Sequence, residues 1–236
     1  MKVMILAAGY GKRMLPLTKT IPKPLLEVAG KTLIQRNIEA LLNEGFEDFI
    51  INTSYLGSMI KDHVNQKFPS TKINFSEEDH PLGTGGGIVQ ALSLIGEDPF
   101  ILINADISHD ISIKPLNKNI ISAHIIGVEN PDHNINGDFS LDGDIVVIKE
   151  GKNDFTWTGI SVVNPLIFNK YKDHDEFFNI WDPAISNTIW CRPVPSSVSP
   201  IYIPGRLRTA SSPLRTLILD ESYISVRSLI TPTSFS

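Results

Sequence analysis

The chain is short of cysteine, of long apolar runs and of positive charge, and each shortage excludes a class of protein. The single cysteine, Cys191, excludes a disulfide framework and suits a reducing compartment. No segment approaches the ~18 apolar residues that a membrane span needs, and the apolar run after Met1-Lys2 is too short for a secretory signal. The net charge of −5 disfavours a nucleic-acid surface. We therefore expect a cytoplasmic protein with neither a membrane nor a nucleic acid as partner.

Two common phosphate-binding loops are also missing. The P-loop string G-x-x-x-x-G-K-[ST] does not occur in the sequence. The dinucleotide fingerprint is incomplete because Met14 stands where its third glycine is needed, and no acidic residue ends a strand about 20 residues further on. A phosphate site in this chain must therefore be of another kind.

Such a site is predicted in the run from Met4 to Met14, where a short apolar strand leads into a turn of small residues. Gly9 and Gly11 allow the backbone to take a positive φ and to approach a ligand closely. Successive backbone N–H groups in such a turn form an anion-binding concavity. Lys12 and Arg13 add positive charge at its rim. We call residues 7–14 the phosphate loop and expect a polyphosphate as its ligand.

A second basic residue is predicted to meet the same phosphates. Pro22 and Pro24 fix φ on either side of Lys23 and favour a stiff, extended segment. The ammonium group of Lys23 follows Arg13 by ten residues. A lone glycine turn would favour a purely structural turn followed by a proline-rich surface loop. Its combination with Pro16-Leu17-Thr18 and with Pro22 to Leu25 favours the phosphate site instead.

The alternation of short apolar strands with amphipathic helices predicts the fold. A length of 236 residues with 42% hydrophobic residues suffices for one large domain. We expect an α/β fold with a doubly wound, Rossmann-like, mixed and mostly parallel sheet. Its elements include a helix over Leu33–Glu44 that ends at Gly45, a buried strand over Phe100–Ile103, and a helix from Gly87 to Ile95 after a glycine-rich loop.

Ligands of such sheets bind beyond the carboxyl ends of the strands, and a carboxylate is expected there. Asp106 follows the strand that ends at Ile103, on the same side as the phosphate loop. Mg²⁺ prefers one or two carboxylates together with the phosphate oxygens of a substrate. Asp106 is therefore a candidate magnesium ligand, and an Asp that caps the next turn is the alternative.

These motifs together resemble the signature of the sugar-1-phosphate nucleotidylyltransferases, and residues 1 to about 187 resemble the branch that acts on N-acetylmuramate 1-phosphate with UTP. The supporting strings are Val28-Ala29-Gly30-Lys31, Ile51-Asn52, Leu82 to Gly87, Asn136 to Phe139 and Thr158 to Ser161. The resemblance implies a fold of the nucleotide-diphospho-sugar transferase type and an enzyme that forms an NDP-sugar and pyrophosphate. A mannose- or heptose-1-phosphate guanylyltransferase, or a catalytically weak nucleotide-sugar-binding module, is the alternative.

The resemblance also assigns roles to residues of this chain. Arg13 and Lys23 would be catalytic, Asp106 would bind Mg²⁺, and NTP and a sugar 1-phosphate would be the partners. The expected nucleotide-binding residues are Ala7, Ala8, Gly9, Gly11, Lys12, Arg13, Lys23, Glu78, Gly83 and Thr84. The expected sugar-binding residues are Asn104, Gly137, Asp138, Trp157 and Gly159. For Trp157, stacking on a sugar and packing in the core are both open. Peptidoglycan recycling is the implied pathway.

The chain departs from the family at three places. Ala105 stands where relatives have glycine before the aspartate, and Gly83 stands where the uridylyltransferase branch commonly has an acidic residue. The C-terminal W-x-D-x-G-T string, whose Asp supplies a second metal carboxylate in relatives, is missing. The string Trp181-Asp182-Pro183 lies too early and within a predicted helix. Weak turnover is therefore one expectation.

The composition changes near residue 188, which divides the chain into a transferase domain (1–187) and an atypical tail (188–236). None of the lysines lies beyond Lys172, whereas five of the seven arginines lie at or beyond Arg192. A tail rich in Ser, Pro and Arg favours disorder. Our other hypothesis is a change of reading frame near residue 188.

Overall fold

The computed structural model describes residues 1–109, 111–113, 120 and 122–171, together with the short segments 189–193, 201–202, 207–209, 217–219 and 222–224. Most of the predicted tail and the string Trp181-Asp182-Pro183 lie outside the described residues. Within this part of the chain, no helix combines the length and the apolar character that crossing a membrane requires.

Strands and helices alternate as predicted up to residue 104, whereas the described residues after it form strands and 3₁₀ segments without a further α-helix. The strands are β1 (Val3–Leu6), β2 (Glu27–Val28), β3 (Lys31–Thr32), β4 (Asp48–Thr53), β5 (Lys72–Glu77), β6 (Phe100–Asn104), β7 (Ile107–Ser108), β8 (Ala123–Glu129), β9 (Ser140–Asp142), β10 (Ile145–Val147), β11 (Phe155–Val163), β12 (Ile189–Pro193), β13 (Ile201–Tyr202), β14 (Leu207–Thr209), β15 (Leu217–Leu219) and β16 (Ser222–Ile224). The α-helices are α1 (Leu33–Asn43), α2 (Gly57–Lys67) and α3 (Gly83–Ile95). Single 3₁₀ turns cover Lys12–Met14, Leu17–Lys19, Lys23–Leu25 and Asp132–Asn134, and a longer 3₁₀ segment covers Pro165–Tyr171.

Within the described residues, the main sheet comprises nine strands in the order β5-β4-β1-β6-β11-β8-β12-β10-β9. Strand β1 lies between β4 and β6 and is parallel to both. Strand β11 is antiparallel to β6 and β8, and β10 is antiparallel to β9 and β12, so these two strands run against the rest of the sheet. The prediction of an α/β fold with a mixed, mostly parallel sheet is confirmed.

Helices pack on both faces of this sheet, as a doubly wound fold requires. On one face, α1 and α2 contribute apolar residues to a core that includes Val3 and Ile5 of β1. On the other face, α3 packs against a core that includes Met4 and Leu102. Successive residues of a strand point to opposite faces, so the continuous apolar run of β1 supplies both cores at once.

The ends of the helices have specific partners. Thr32 caps α1 by accepting a hydrogen bond from the backbone N–H of Gln35, and Gly45 follows the helix with a φ of +84°. The predicted C-terminal glycine of α1 is thereby confirmed. Lys2 donates from its ammonium group to the carbonyls of Leu94 and Ile95 and so satisfies the C-terminus of α3.

Two predicted boundaries differ from the structure. The glycine-rich segment that was expected as a loop forms the first turns of α3, which begins at Gly83 and not at Gly87. Packing of α3 against the sheet outweighs the low helix propensity of glycine there. Strand β12 pairs with β8 and β10, so the main sheet continues past the domain boundary predicted at residue 187.

Candidate active site

A cavity of about 470 Å³ lies at the carboxyl ends of β1, β4 and β6. It is lined by Leu6, Ala7, Ala8, Gly9, Tyr10, Gly11, Lys12, Arg13, Met14, Lys23, Pro24, Asn52, Glu78, Pro81, Gly83, Thr84, Asn104, Ala105 and Asp106. The structure therefore brings every predicted nucleotide-binding residue and the predicted metal ligand to one cavity. Their binding roles remain predictions.

The turn of the phosphate loop depends on one of its two glycines. Gly11 has a φ of +63°, and a Cβ at this position would lie 2.9 Å from Cγ2 of Thr18. Thr18 also donates a 2.8 Å hydrogen bond to the carbonyl of Gly11. Gly9, in contrast, does not have a positive φ, so the prediction for it was wrong. A Cβ at Gly9 would meet no atom within 4 Å, which leaves a ligand room to approach the backbone.

The basic pair of the phosphate loop lies at the rim of the cavity. Lys12 and Arg13 belong to a 3₁₀ turn that is held by a 2.8 Å hydrogen bond from the N–H of Met14 to the carbonyl of Gly11. The side chain of Met14 is buried and anchors the turn, whereas Lys12 and Arg13 are exposed. Both cations can therefore reach an anionic ligand without any rearrangement of the core.

Lys23 lies deeper in the cavity and pairs with the predicted metal ligand. Its ammonium nitrogen lies 2.5 Å from Oδ2 of Asp106, and the two side chains are only 11% and 25% exposed. Pro22 is extended, as predicted, but Lys23 begins a 3₁₀ turn, so the prediction of an extended segment around it was wrong. The backbone N–H of Leu26 closes this turn on the carbonyl of Lys23, which still fixes the lysine backbone.

The loop that carries Asp106 is fixed by buried hydrogen bonds. The amide group of Asn37 donates to the carbonyls of Ala105 and Ile107 at 3.2 and 2.9 Å. The N–H of Ala105 donates to the carbonyl of Leu6. Ala105 does not adopt a positive φ, so alanine can replace the family glycine without backbone strain.

The carboxylate of Asp106 is a suitable ligand for Mg²⁺, which binds oxygen atoms and commonly takes substrate phosphate oxygens as further ligands. Among the residues that the structure describes, no group of three or more His, Cys, Asp or Glu side chains could hold a metal ion. Asp106 remains the predicted magnesium ligand at this cavity.

Asn52 is a cavity residue that sequence reasoning left out of the site. Its Oδ1 accepts a 2.7 Å hydrogen bond from the N–H of Ala7, and its Nδ2 donates at 2.6 Å to Oε1 of Glu78. Oε2 of Glu78 accepts from the N–H of Leu82, the residue before α3. Burial raises the pKa of Glu78, and these two hydrogen bonds oppose the shift. The available signal was a polar residue that follows the apolar run of β4, the same pattern as in β6 and Asn104.

The predicted sugar-binding residues separate into two groups. Asn104 lines the cavity. Gly159 lies directly behind it, because a Cβ on Gly159 would be 2.7 Å from Nδ2 of Asn104. Gly137 and Asp138 are not among the residues that line the cavity; Asp138 instead accepts hydrogen bonds from Asn134 and from the N–H of Trp157. A role for these two in sugar binding stays a prediction.

The side chain of Trp157 packs in the core, which is one of the two alternatives predicted for it. Its side chain belongs to the core beneath α3, and the residue is 7% exposed. Its indole N–H donates to the carbonyl of Ile160 and to the hydroxyl of Ser161. An indole buried in this way does not present a ring face to a sugar, so the stacking alternative is corrected.

The fold and the cavity define a class of protein: a doubly wound α/β protein with a basic, glycine-dependent phosphate loop facing a carboxylate. The nucleotidyl transferase family matches residues 2–128, and the chain belongs to this family. The predicted enzyme class, a sugar-1-phosphate nucleotidyltransferase, is confirmed.

Two relatives with different substrates and one solved structure illustrate what the chain is similar to. The chain is 43% identical over 180 residues to N-acetylmuramate alpha-1-phosphate uridylyltransferase of Neisseria meningitidis, an alignment that covers 72% of this chain and 78% of the relative. It is 37% identical over 114 residues to the mannose-1-phosphate guanylyltransferase catalytic subunit beta of Xenopus tropicalis, covering 47% of this chain and 32% of that protein. The crystal structure of HddC from Yersinia pseudotuberculosis in complex with GMP-PN matches with a TM-score of 0.71 at 28% identity, over 85% of this chain and 92% of HddC.

Proposed function

We propose that this enzyme transfers a uridylyl group from UTP to N-acetylmuramate 1-phosphate. The observation that supports this substrate pair best is the 43% identity to the Neisseria enzyme, which extends over 78% of that relative. The match to the Xenopus guanylyltransferase covers only 32% of that protein. The product would be UDP-N-acetylmuramate, which fits the recycling of peptidoglycan.

The reaction requires positioning and charge neutralisation more than proton transfer. A sugar 1-phosphate is already an anionic nucleophile, so no general base is needed. One of its phosphate oxygens forms a bond to the α-phosphorus of the NTP, while the bond from this phosphorus to the oxygen bridging to the β-phosphate breaks. Pyrophosphate leaves with that electron pair. Catalysis of such transfers depends on fixed positive charges around the phosphates.

Arg13 and Lys23 lie at different depths of the cavity and would neutralise different phosphates. Arg13, exposed at the rim, would hold the β- and γ-phosphates that leave, since its planar guanidinium can bind two oxygens at once. Lys23, buried beside Asp106, would neutralise the α-phosphate and the phosphate of the sugar. The backbone N–H groups of the phosphate loop would bind the remaining phosphate oxygens.

Asp106 would hold Mg²⁺ against the α-phosphate. The ion, when bound, withdraws electron density from the phosphorus and offsets the charge that develops during transfer. Because Lys23 already pairs with Oδ2 of Asp106, the carboxylate has to share its charge between a lysine and a metal. Phosphate oxygens of the nucleotide would supply further ligands.

A guanylyltransferase is the second candidate, and two observations favour it. The structure of HddC, which matches this chain, was determined with GMP-PN. Gly83 opens α3 with a φ of +75° at the cavity wall, where the uridylyltransferase branch commonly has an acidic residue. A catalytically weak binding module is the third candidate, because the second carboxylate motif is missing from the sequence.

A screen of pyrophosphate release separates these candidates. UTP, GTP, ATP, CTP and dTTP are each combined with N-acetylmuramate, mannose, heptose and glucose 1-phosphates. We expect the highest kcat/KM for UTP with N-acetylmuramate 1-phosphate. A preference for GTP with mannose or heptose 1-phosphate would contradict the proposal in favour of the second candidate. Nucleotide binding without turnover in any combination would favour the third.

A further inference from the structure

A buried hydrogen-bonded chain connects the phosphate loop to the start of α3. It runs from the N–H of Ala7 to Oδ1 of Asn52 at 2.7 Å, from Nδ2 of Asn52 to Oε1 of Glu78 at 2.6 Å, and from Oε2 of Glu78 to the N–H of Leu82 at 2.9 Å. Asn52 is 2% exposed and Glu78 is 5% exposed. Water therefore cannot readily replace either partner, and a mismatch in the chain leaves a buried polar group unpaired.

Two features show that this hydrogen-bonded chain has specific chemical and steric requirements. Residue 52 accepts from a backbone N–H on one side and donates to a carboxylate on the other, which the amide of Asn52 does with two separate atoms. Gly87, in the second turn of α3, leaves the space for it: a Cβ there would lie 2.7 Å from both Nδ2 of Asn52 and Oε1 of Glu78. Glycine in a helix interior destabilises the helix relative to alanine, so leaving this space lowers the stability of α3.

We propose that Asn52 is a positioning residue of the nucleotide site, which fixes the amide of Ala7 and thereby the direction of the following N–H groups of the phosphate loop. Ala7 directly follows Leu6, which is paired with Asn52 in the sheet, so the loop leaves β1 at this point. Glu78, which was predicted to bind the nucleotide itself, has both carboxylate oxygens engaged by Asn52 and by the N–H of Leu82, so this proposal gives it a positioning role instead. It sets the orientation of the Asn52 amide and simultaneously holds the residue before α3. The phosphate loop and the N-terminus of α3, which both line the cavity, are thus kept in a fixed relation.

A reciprocal exchange of the two side chains tests this role. In Glu78→Gln, the NH₂ group of the new side chain faces another donor, either Nδ2 of Asn52 or the N–H of Leu82. If Asn52 rotates to accept from this NH₂ group, its own Nδ2 then faces the N–H of Ala7. One donor therefore always opposes another. In Asn52→Asp, two carboxylates face each other. In the double variant N52D/E78Q, the amide of residue 78 donates to the aspartate, its oxygen accepts from Leu82, and the aspartate accepts from Ala7, so every group is paired again.

We expect each single variant to weaken the affinity for NTP about tenfold and to raise the KM for NTP more than the KM for the sugar 1-phosphate. The double variant should return to within about threefold of wild type, since its pairing is complete. Asn164→Asp is the matched control, because Asn164 is likewise buried, accepts from the N–H of Leu166 and donates to the carbonyl of Ile120, but does not line the cavity. It should lower Tm without changing NTP affinity.

Titration calorimetry with the NTP that wild type prefers, steady-state kinetics and thermal unfolding provide the readouts. The inference rests on the proposed function for its ligand class, but a preference of wild type for GTP would change only the probe. The inference would be overturned if the single variants bound NTP as wild type does. It would also be overturned if the double variant bound NTP no better than the weaker single variant. A double variant that does not fold would overturn it too, because the exchange predicts a fully paired interior. If a single variant does not fold, a folded double variant with wild-type affinity supports the inference.

Discussion

Gly159→Ala tests whether Asn104 is held in the cavity by the space behind it. Gly159 has a φ of +83°, and its Cβ would lie 2.7 Å from Nδ2 and 3.2 Å from Cβ of Asn104. The asparagine therefore has to move. Positive φ costs a residue with a Cβ roughly 1–2 kcal/mol of stability. Loss of one hydrogen bond from Asn104 to the sugar 1-phosphate would cost a further ~0.5–1.5 kcal/mol of binding, which corresponds to roughly a two- to tenfold rise in KM.

Gly45→Ala is the matched control for this substitution. Gly45 has nearly the same φ, +84°, but a Cβ there would meet no atom within 4 Å. Both variants should lose stability in urea unfolding from backbone strain, and Gly159→Ala should lose more because its Cβ also displaces Asn104. Only Gly159→Ala should also raise the KM for the sugar 1-phosphate. NTP affinity should change little in either. A Gly159→Ala enzyme with the KM of wild type would refute the placement of Asn104 in the sugar site.

Four further substitutions test the remaining roles. Arg13→Ala should abolish turnover at unchanged Tm, because the side chain is exposed; undiminished kcat/KM would remove Arg13 from the mechanism. Lys23→Met should weaken the binding of both substrates by ~1.5–3 kcal/mol in calorimetry, the value of a charge-assisted hydrogen bond, and unchanged affinities would make its segment purely structural. Asp106→Asn should eliminate the activity that Mg²⁺ supports; a variant with the Mg²⁺ dependence of wild type would show that another group binds the ion. Because burial raises the pKa of Glu78 above its ordinary value of 4.5, the folded state binds more protons between the two values, so stability should fall as pH rises through this window. Glu78→Gln should flatten that slope in urea unfolding measured at successive pH values, and an unchanged slope would assign it to other groups.

The fold could be predicted largely from local patterns, and the exceptions have physical reasons. Apolar runs located β1 and β6, and helical spacing located α1 to within a residue. The start of α3 was misplaced because glycine has a low intrinsic helix propensity. In the structure, Ile88 and its neighbours pack into the core, and the helix already begins at Gly83. The extension of the sheet by β12 was missed because composition, not strand pairing, set the predicted boundary.

Loop residues of the site were predictable, but their pairings were not. Glycines, prolines and the basic pair indicate a phosphate loop within a few residues of sequence. The contact of Lys23 with Asp106 joins residues 83 positions apart, and that of Asn52 with Glu78 joins residues 26 positions apart. Such contacts depend on the order of strands in the sheet, which a strand pattern alone does not specify.

Asn52 and Asn104 show what sheet order adds. Both are paired with Leu6, one from each neighbouring strand, so they flank the end of β1 at the same level and on the same face of the sheet. In sequence they carry the same signal, an asparagine after an apolar run. What distinguishes them is the glycine that each one meets: Gly87 of α3 at Asn52 and Gly159 of β11 at Asn104. Both asparagines line the cavity, but Gly87 leaves room for one that lies between a backbone amide and a carboxylate, whereas Gly159 lies directly behind the other. If Asn52 and Asn104 have the roles proposed for them, alanine at each glycine should impair a different step: NTP binding at residue 87 and sugar 1-phosphate binding at residue 159, measured as separate KM values for the two substrates.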